Sequence, residues 1–397
     1  MTLLKDQPSQ QAGGDSQRPG QAGDPLGELQ KLGQSVWLDY IRRDLIASGE
    51  LQRMVAEDHL SGITSNPSIF EKAIAGSTDY DGFLASAAKC KGHDSMTLYE
   101  GLAIKDIKDA ADVLRPIYER TGRVDGYVSL EVSPYLAHDT KGTVAEAHRL
   151  WDKVGRENIL IKVPGTPEGL PAIRQLIAEG INVNITLLFS QKVYEQVAGA
   201  YIEALEELAS GRGDVGRIGS VASFFVSRID TSIDGIVESR LGAAKSEEDK
   251  TRLQSILGRV AIANAKLTYQ KFKEIFSGKR WQALAAKGAH VQRLLWASTS
   301  TKNPKYRDVL YAEELIGRDT VNTIPPATMD AFREHGRPRA SLEENLDEAH
   351  TVMQNLAQAG ISMDEITKKL LDDGVRLFAE SFDRLLAAVE KKRTYMQ

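Results

Sequence analysis

Eight short runs rich in β-branched and apolar residues, separated by longer stretches of helical period, constrain this chain more than any other feature. The runs are residues 35–41, 62–66, 127–132, 158–163, 181–189, 220–229, 291–298 and 320–324. Helical patterns fill the intervals at 95–119, 143–154, 168–178, 191–208, 250–276 and 304–315. Such alternation is the signature of βα units around a parallel sheet, and eight of them predict a closed (β/α)₈ TIM barrel. Runs such as Ile159-Leu160-Ile161 are apolar without alternation, as strands buried on both faces are.

No internal repeat and no Pro-rich linker divides the chain, so one α/β domain is expected over 31–397 after a disordered tail at 1–30. The first part of that tail, 1–24, is rich in Gln, Gly, Asp and Ser and lacks the apolar centre of a secretory signal. Residues 342–391 read as two further helices. Ser341 and Glu344 have capping-box spacing. Val375, Phe378, Phe382, Leu385, Leu386 and Val389 recur at helical spacing, which predicts a packing helix closing over the barrel.

Composition removes several classes of function. With 42% hydrophobic and 26% charged residues among 397, the chain has material for a large core. Its net charge of −5 lacks the basic excess of a nucleic-acid protein. No apolar run reaches the roughly 18 residues of a membrane span. A single cysteine, Cys90, allows no intramolecular disulfide and points to a reducing cytoplasm; it reads as a small apolar filler. The histidines, at 59, 93, 138, 148, 290, 335 and 350, show no metal-binding spacing, so no metal is expected. Gly211-Arg212-Gly213-Asp214-Val215-Gly216 matches GxGxxG but follows a helix and precedes a strand, the reverse of a dinucleotide site, and reads as a loop.

The active site of such a barrel lies at the C-terminal ends of its strands. Lys162, in Ile159-Leu160-Ile161-Lys162-Val163-Pro164, is the most informative residue there. Burial in an apolar strand disfavours the ammonium and so favours a nucleophilic amine, the requirement for Schiff-base chemistry. A lysine reaching solvent or paired with a carboxylate is the plain alternative. Asp39 and Glu131, ending the first and third runs, tip the balance, because two carboxylates supply separate proton carriers. Thr64, Asn66, Asn184, Thr186 and Ser223 are uncharged polar residues suited to bonding ligand hydroxyls. Arg228 after the sixth run, with Ser298 and Lys302 after the seventh, can form an anion pocket.

These segments together resemble the transaldolase family, and specifically its longer bacterial branch, over residues 32–386. The similarity rests on Gly62-Ile63-Thr64-Ser65-Asn66-Pro67-Ser68-Ile69-Phe70, Ser129-Leu130-Glu131-Val132, Ile159 to Thr166, and Asn182 to Ser190, in that order. The resemblance implies that Lys162 is the Schiff-base lysine and Asp39 the acid/base at the carbon-carbon bond. It implies that Glu131 and Thr186 position a catalytic water, that Asn66 and Asn184 bind a dihydroxyacetone unit with Ser223 nearby, and that Arg228 binds phosphate. Other branches place a second arginine after the seventh strand, where this chain reads Ser298-Thr299-Ser300-Thr301-Lys302; Lys302 is taken as the replacement cation. The implied reaction moves a dihydroxyacetone unit between sugar phosphates in the pentose phosphate pathway, with no cofactor, in a monomer or homodimer. Two alternatives stand beside it: an aldolase releasing free dihydroxyacetone, whose known forms are shorter with glutamine at the position of Glu131, and a silent barrel kept for binding.

Overall fold

The computed structural model describes residues 23–88 and 94–395; residues 1–22 of the expected tail, Cys90 and His93 lie outside the described residues. Eight strands, β1 (Gln34–Asp39), β2 (Leu60–Thr64), β3 (Tyr127–Glu131), β4 (Ile159–Pro164), β5 (Val183–Leu188), β6 (Ser220–Phe225), β7 (Arg293–Ala297) and β8 (Thr320–Ile324), close into one barrel in sequence order. Every neighbouring pair is parallel, and β1 completes the circle by pairing with β8. Strands β4, β5 and β6 are buried at every position, because helices cover their outer faces and side chains fill the interior. The register sets Glu131 beside Lys162 and Lys162 beside Asn184. A register shift between Ile185 and Leu188, with Leu187 at φ +61°, marks a bulge beside Thr186.

The N-terminal end of the barrel is closed by a buried polar cluster. Asp125 accepts from Ser35 Oγ at 2.6 Å, Trp37 Nε1 at 2.9 Å and the Arg293 guanidinium at 2.9 Å. The Trp37 ring lies across Gly62, where an added Cβ would come within 2.4 Å of it; only glycine leaves room. Replacing Asp125 by Ala strands both the Arg293 charge and the Trp37 N–H, which should cost about 3–5 kcal/mol. In urea the transition midpoint of Asp125→Ala should fall with an unchanged slope; an unchanged midpoint would show that water already satisfies these groups.

The opposite end lies under the long helix Met363–Tyr395, which packs on the helix Pro67–Ala75. A Cβ on Gly374 would meet Leu187 at 2.8 Å, so glycine lets the helix come down onto the end of β5. Phe382 makes an edge contact with Tyr99 at 5.5 Å, and Lys392 pairs with Asp81 at 2.6 Å. The expected closing helix is therefore present, as the second of two C-terminal helices after Leu346–Gln358.

Several local expectations are corrected. Helix Pro25–Lys31 falls within the expected tail; Asp24 caps it through Gly27 N at 2.9 Å, and Leu26 and Leu29 are buried. The helix expected over 250–276 is two, Glu247–Gln254 and Val260–Ile275, parted at Gly258 with φ +65°. The helix expected over 304–315 shrinks to Leu310–Glu314, because the Asn303 side chain accepts from Lys305 N at 3.0 Å and holds a turn there. The sixth run is strand only to Phe225, and residues 227–229 open the helix Ser227–Ala243. Ser341 forms no capping box: its hydroxyl donates to Glu313 O at 2.6 Å and accepts from Ile316 N at 3.1 Å, while the helix starts later, at Leu346. Residues 211–216 lie in the connection between the helix Gln191–Ser210 and β6, as expected, but its end is the 3-10 turn Val215–Arg217 and not plain loop. Among the described residues no helix is long and apolar enough to cross a membrane.

Candidate active site

Lys162 sits on β4 inside the barrel and is 5% exposed, so its amine meets protein groups and not bulk water. Nζ donates to the backbone carbonyl of Ser65 at 2.9 Å and lies 3.4 Å from Glu131 Oε2. The Phe378 ring of the closing helix stands 6.0 Å from the amine. The amine therefore lies in a pocket walled by β2, β3 and the aromatic face of that helix. Phe378 was legible only as part of a packing stripe, which does not separate a residue over the site from one in the core.

Asp39, at the end of β1, accepts from Thr64 Oγ1 at 2.7 Å, and Thr64 is linked in turn to Thr323 Oγ1 on β8 at 2.6 Å. Burial pushes the Asp39 carboxyl above the usual carboxylate range, opposed by the Thr64 hydroxyl and by the charges of Lys162, Lys302 and Arg228. Burial does the same to Glu131, opposed by the charge and hydrogen bond of Lys162. Two carboxyl groups thus stand near one amine, both displaced toward neutral pH, where a group can take up and return a proton.

A polar row runs from β3 through β5 to β6. Asn184 Nδ2 donates to Ser129 Oγ at 3.0 Å, and Ser223 Oγ donates to Asn184 Oδ1 at 2.7 Å. Thr186 Oγ1 is buried with no hydrogen-bond partner among the described residues. An orphaned hydroxyl one strand from Lys162 is a place for water or ligand, since buried polar groups are normally satisfied. Asn66 caps the helix Pro67–Ala75, its Oδ1 accepting from Ile69 N at 3.0 Å, which leaves Nδ2 as a donor with no partner among the described residues. Ser129 and Thr323 escaped the sequence reading. Ser129 stands two residues before Glu131 and so shares its face of the strand, a signal that was available.

Arg228 lies in the first turn of the helix Ser227–Ala243, with its guanidinium 5.3 Å from the Phe225 ring centroid. Burial lowers its pKa, and Asp39 opposes that. Ser298, at φ +56°, is held beside it by a 2.9 Å hydroxyl contact with Ser227 and by Ser227 N donating to Ser298 O at 3.1 Å. Lys302 donates to Ser300 Oγ at 2.7 Å and keeps a solvent-facing surface. Partial enclosure lowers its pKa, as do the charges of Arg228 and Lys72. Like charges gathered this way form a pocket for an anion. Lys72, on the helix Pro67–Ala75, carries no strand-end signature in the sequence.

The structure thus brings together, at one end of the barrel, an amine between two carboxyls, a row of amides and hydroxyls, and a cationic rim. Such a site can hold a hydroxylated carbonyl compound by its anionic end. Residues 36–389 match the family described as Transaldolase/Fructose-6-phosphate aldolase. The chain belongs to the transaldolase family. It is similar to "Transaldolase" of Trichodesmium erythraeum (strain IMS101), 49% identical over 92% of this chain and 96% of the relative. It is likewise similar to "Transaldolase 2" of Nostoc punctiforme (strain ATCC 29133 / PCC 73102), 50% identical over the same shares, 92% and 96%. "Transaldolase" of Thiobacillus denitrificans (strain ATCC 25259 / T1) is 48% identical over 91% of the chain and 98% of the relative. Transaldolase-family membership and the all-parallel barrel agree with the resemblance read from the sequence.

Proposed function

We propose that this transaldolase-family enzyme transfers a dihydroxyacetone unit from sedoheptulose 7-phosphate to glyceraldehyde 3-phosphate through a Schiff base on Lys162, as a cytoplasmic step of the non-oxidative pentose phosphate pathway. The observation that carries the reading is the buried Lys162 amine 3.4 Å from the Glu131 carboxylate. In its neutral form the amine adds to the C2 carbonyl of the ketose, and the carbinolamine oxygen leaves as water after protonation by Glu131. Thr186 holds that water, a role supported by its buried hydroxyl with no partner among the described residues.

The protonated imine then accepts the electron pair of the C3–C4 bond as Asp39 takes the C4 hydroxyl proton. Erythrose 4-phosphate leaves, and a three-carbon enamine stays on Lys162. Addition of the enamine to the aldehyde carbon of glyceraldehyde 3-phosphate forms the new bond, with the Asp39 proton returned to the resulting oxygen. Water returns through Glu131 and fructose 6-phosphate departs. The iminium nitrogen is the electron sink, so these steps draw on no metal or organic cofactor.

Asn66, Asn184 and Ser223 bind the hydroxyls of the retained unit, and Thr64 orients Asp39. Arg228, Ser298 and Lys302 grip the phosphate. Retaining the enamine for an acceptor requires control of water, which the closing helix with Phe378 provides. The exchange assay separates this reading from a free aldolase: fructose 6-phosphate plus erythrose 4-phosphate should give sedoheptulose 7-phosphate with little free dihydroxyacetone. Free dihydroxyacetone as the main product would favour the aldolase. Arg228→Ala should raise KM for the phosphorylated acceptor about 10- to 100-fold, the scale of a charged hydrogen bond; steady-state kinetics with glyceraldehyde 3-phosphate measures it.

A further inference from the structure

Two buried carboxylates outside the catalytic group remain to be explained. Asp230 and Asp234 lie one turn apart on the helix that begins with Ser227 and Arg228, 1% and 5% exposed. Each uses its two oxygens in the same way. Asp230 Oδ1 accepts from Ala261 N at 2.8 Å and its Oδ2 from the Tyr311 hydroxyl at 2.8 Å. Asp234 Oδ1 accepts from Gly258 N at 3.0 Å and its Oδ2 from the Tyr306 hydroxyl at 2.7 Å. One oxygen of each thus fixes the start of the helix Val260–Ile275, and the other fixes a tyrosine from the segment that follows β7.

That segment carries Ser298 and Lys302. The Tyr306 ring occupies the space beside Gly258, where an added Cβ would lie 2.6 Å from its Cζ. Arg307 adds a bidentate pair to Glu313, at 2.7 and 2.9 Å. Lys302 and Arg228 are like charges close enough that the Arg228 guanidinium opposes ionisation of Lys302. Without a bound anion, that repulsion opposes holding the segment against the helix. Among the described residues neither carboxylate has a basic side chain in hydrogen-bond contact, and burial of this kind is costly; burial displaces Asp230 to about 7. A cost retained at that place has a purpose in holding two cations together before a dianion arrives.

We propose that Asp230 and Asp234, through Tyr311 and Tyr306, are positioning residues that hold the Ser298–Lys302 segment against the Arg228 helix and so set the affinity for the phosphate end of the substrate. The inference rests on the reading of Arg228 and Lys302 as phosphate ligands. Because the tyrosines touch no reacting atom, their loss acts on binding of the anionic end and leaves the amine chemistry alone.

The test compares glyceraldehyde 3-phosphate with unphosphorylated glyceraldehyde as acceptors, in wild type, Tyr306→Phe, Asp234→Asn and Arg228→Ala. Tyr306→Phe keeps the ring beside Gly258 and removes only the hydroxyl. It should raise KM for the phosphorylated acceptor about fivefold, the worth of one buried hydrogen bond, with kcat/KM for glyceraldehyde unchanged. Asp234→Asn, whose amide oxygen can still accept from Gly258 N while its Nδ2 donates to the Tyr306 hydroxyl, should lie between Tyr306→Phe and wild type. Equal losses with both acceptors, or no loss with either, overturn the proposal. If Arg228→Ala discriminates between the acceptors and Tyr306→Phe does not, only the positioning role falls. If Arg228→Ala itself does not discriminate, the phosphate reading falls and takes this proposal with it.

Discussion

Replacing Lys162 by Met is expected to abolish exchange, lowering kcat by about 10⁴-fold or more, the scale on which covalent catalysis fails when its nucleophile is removed. Methionine preserves length and packing beside Phe378 but cannot form the carbon-nitrogen bond on which every later step of the proposed mechanism depends. The fold should survive. Removing the amine leaves Glu131 buried without its cation, yet burial already displaces that carboxyl upward, so it can take a proton and stay neutral. Since the folded-state pKa of Glu131 then lies above its unfolded value, any loss of stability grows as pH rises through the folded value and vanishes below the unfolded one. Urea denaturation on the acid side of neutrality therefore separates lost chemistry from lost structure. A variant that exchanges sugars at the wild-type rate would end the account.

Asp39→Asn should lower kcat by about 10²- to 10⁴-fold, the usual contribution of one general acid/base, while leaving adduct formation on Lys162 intact. The two losses differ because, in the proposed mechanism, Asp39 serves the carbon-carbon bond, whereas Glu131 and Thr186 serve the imine. The proposed cleavage uses Asp39 as the carboxylate, and burial raises its pKa above the usual range. Activity limited by cleavage should therefore be present above that raised value and fall as pH drops through it, with the acid limb of kcat above that of an exposed aspartate. Asp39→Asn should flatten this limb. Loss of adduct formation together with exchange would assign Asp39 to the imine steps instead.

The sequence reading succeeded where local pattern and final environment coincide. Strands such as Ile159–Pro164 are mostly apolar because both faces are buried, and the polar residues that interrupt such strands, Lys162 and Asn184 among them, fall together because strand register stacks them side by side. It failed where a distant contact decides. Gly258 inside a helical pattern looks tolerable until the Tyr306 ring, from another segment, takes the place of its Cβ. Ser341 has the spacing of a cap, but its hydroxyl is drawn to Glu313 and Ile316. Phe378 and Val389 share one apolar stripe, yet only Phe378 reaches the amine, because the helix crosses the barrel mouth at Gly374. Asn66 was legible as a polar residue next to the site and not as the cap of the following helix.

The most direct measurement is borohydride reduction in the presence of fructose 6-phosphate, followed by peptide mapping of the adduct by mass spectrometry. The account predicts a single three-carbon adduct, on the peptide containing Lys162 and absent from Lys162→Met. An adduct on another lysine, or none while exchange proceeds, would contradict it.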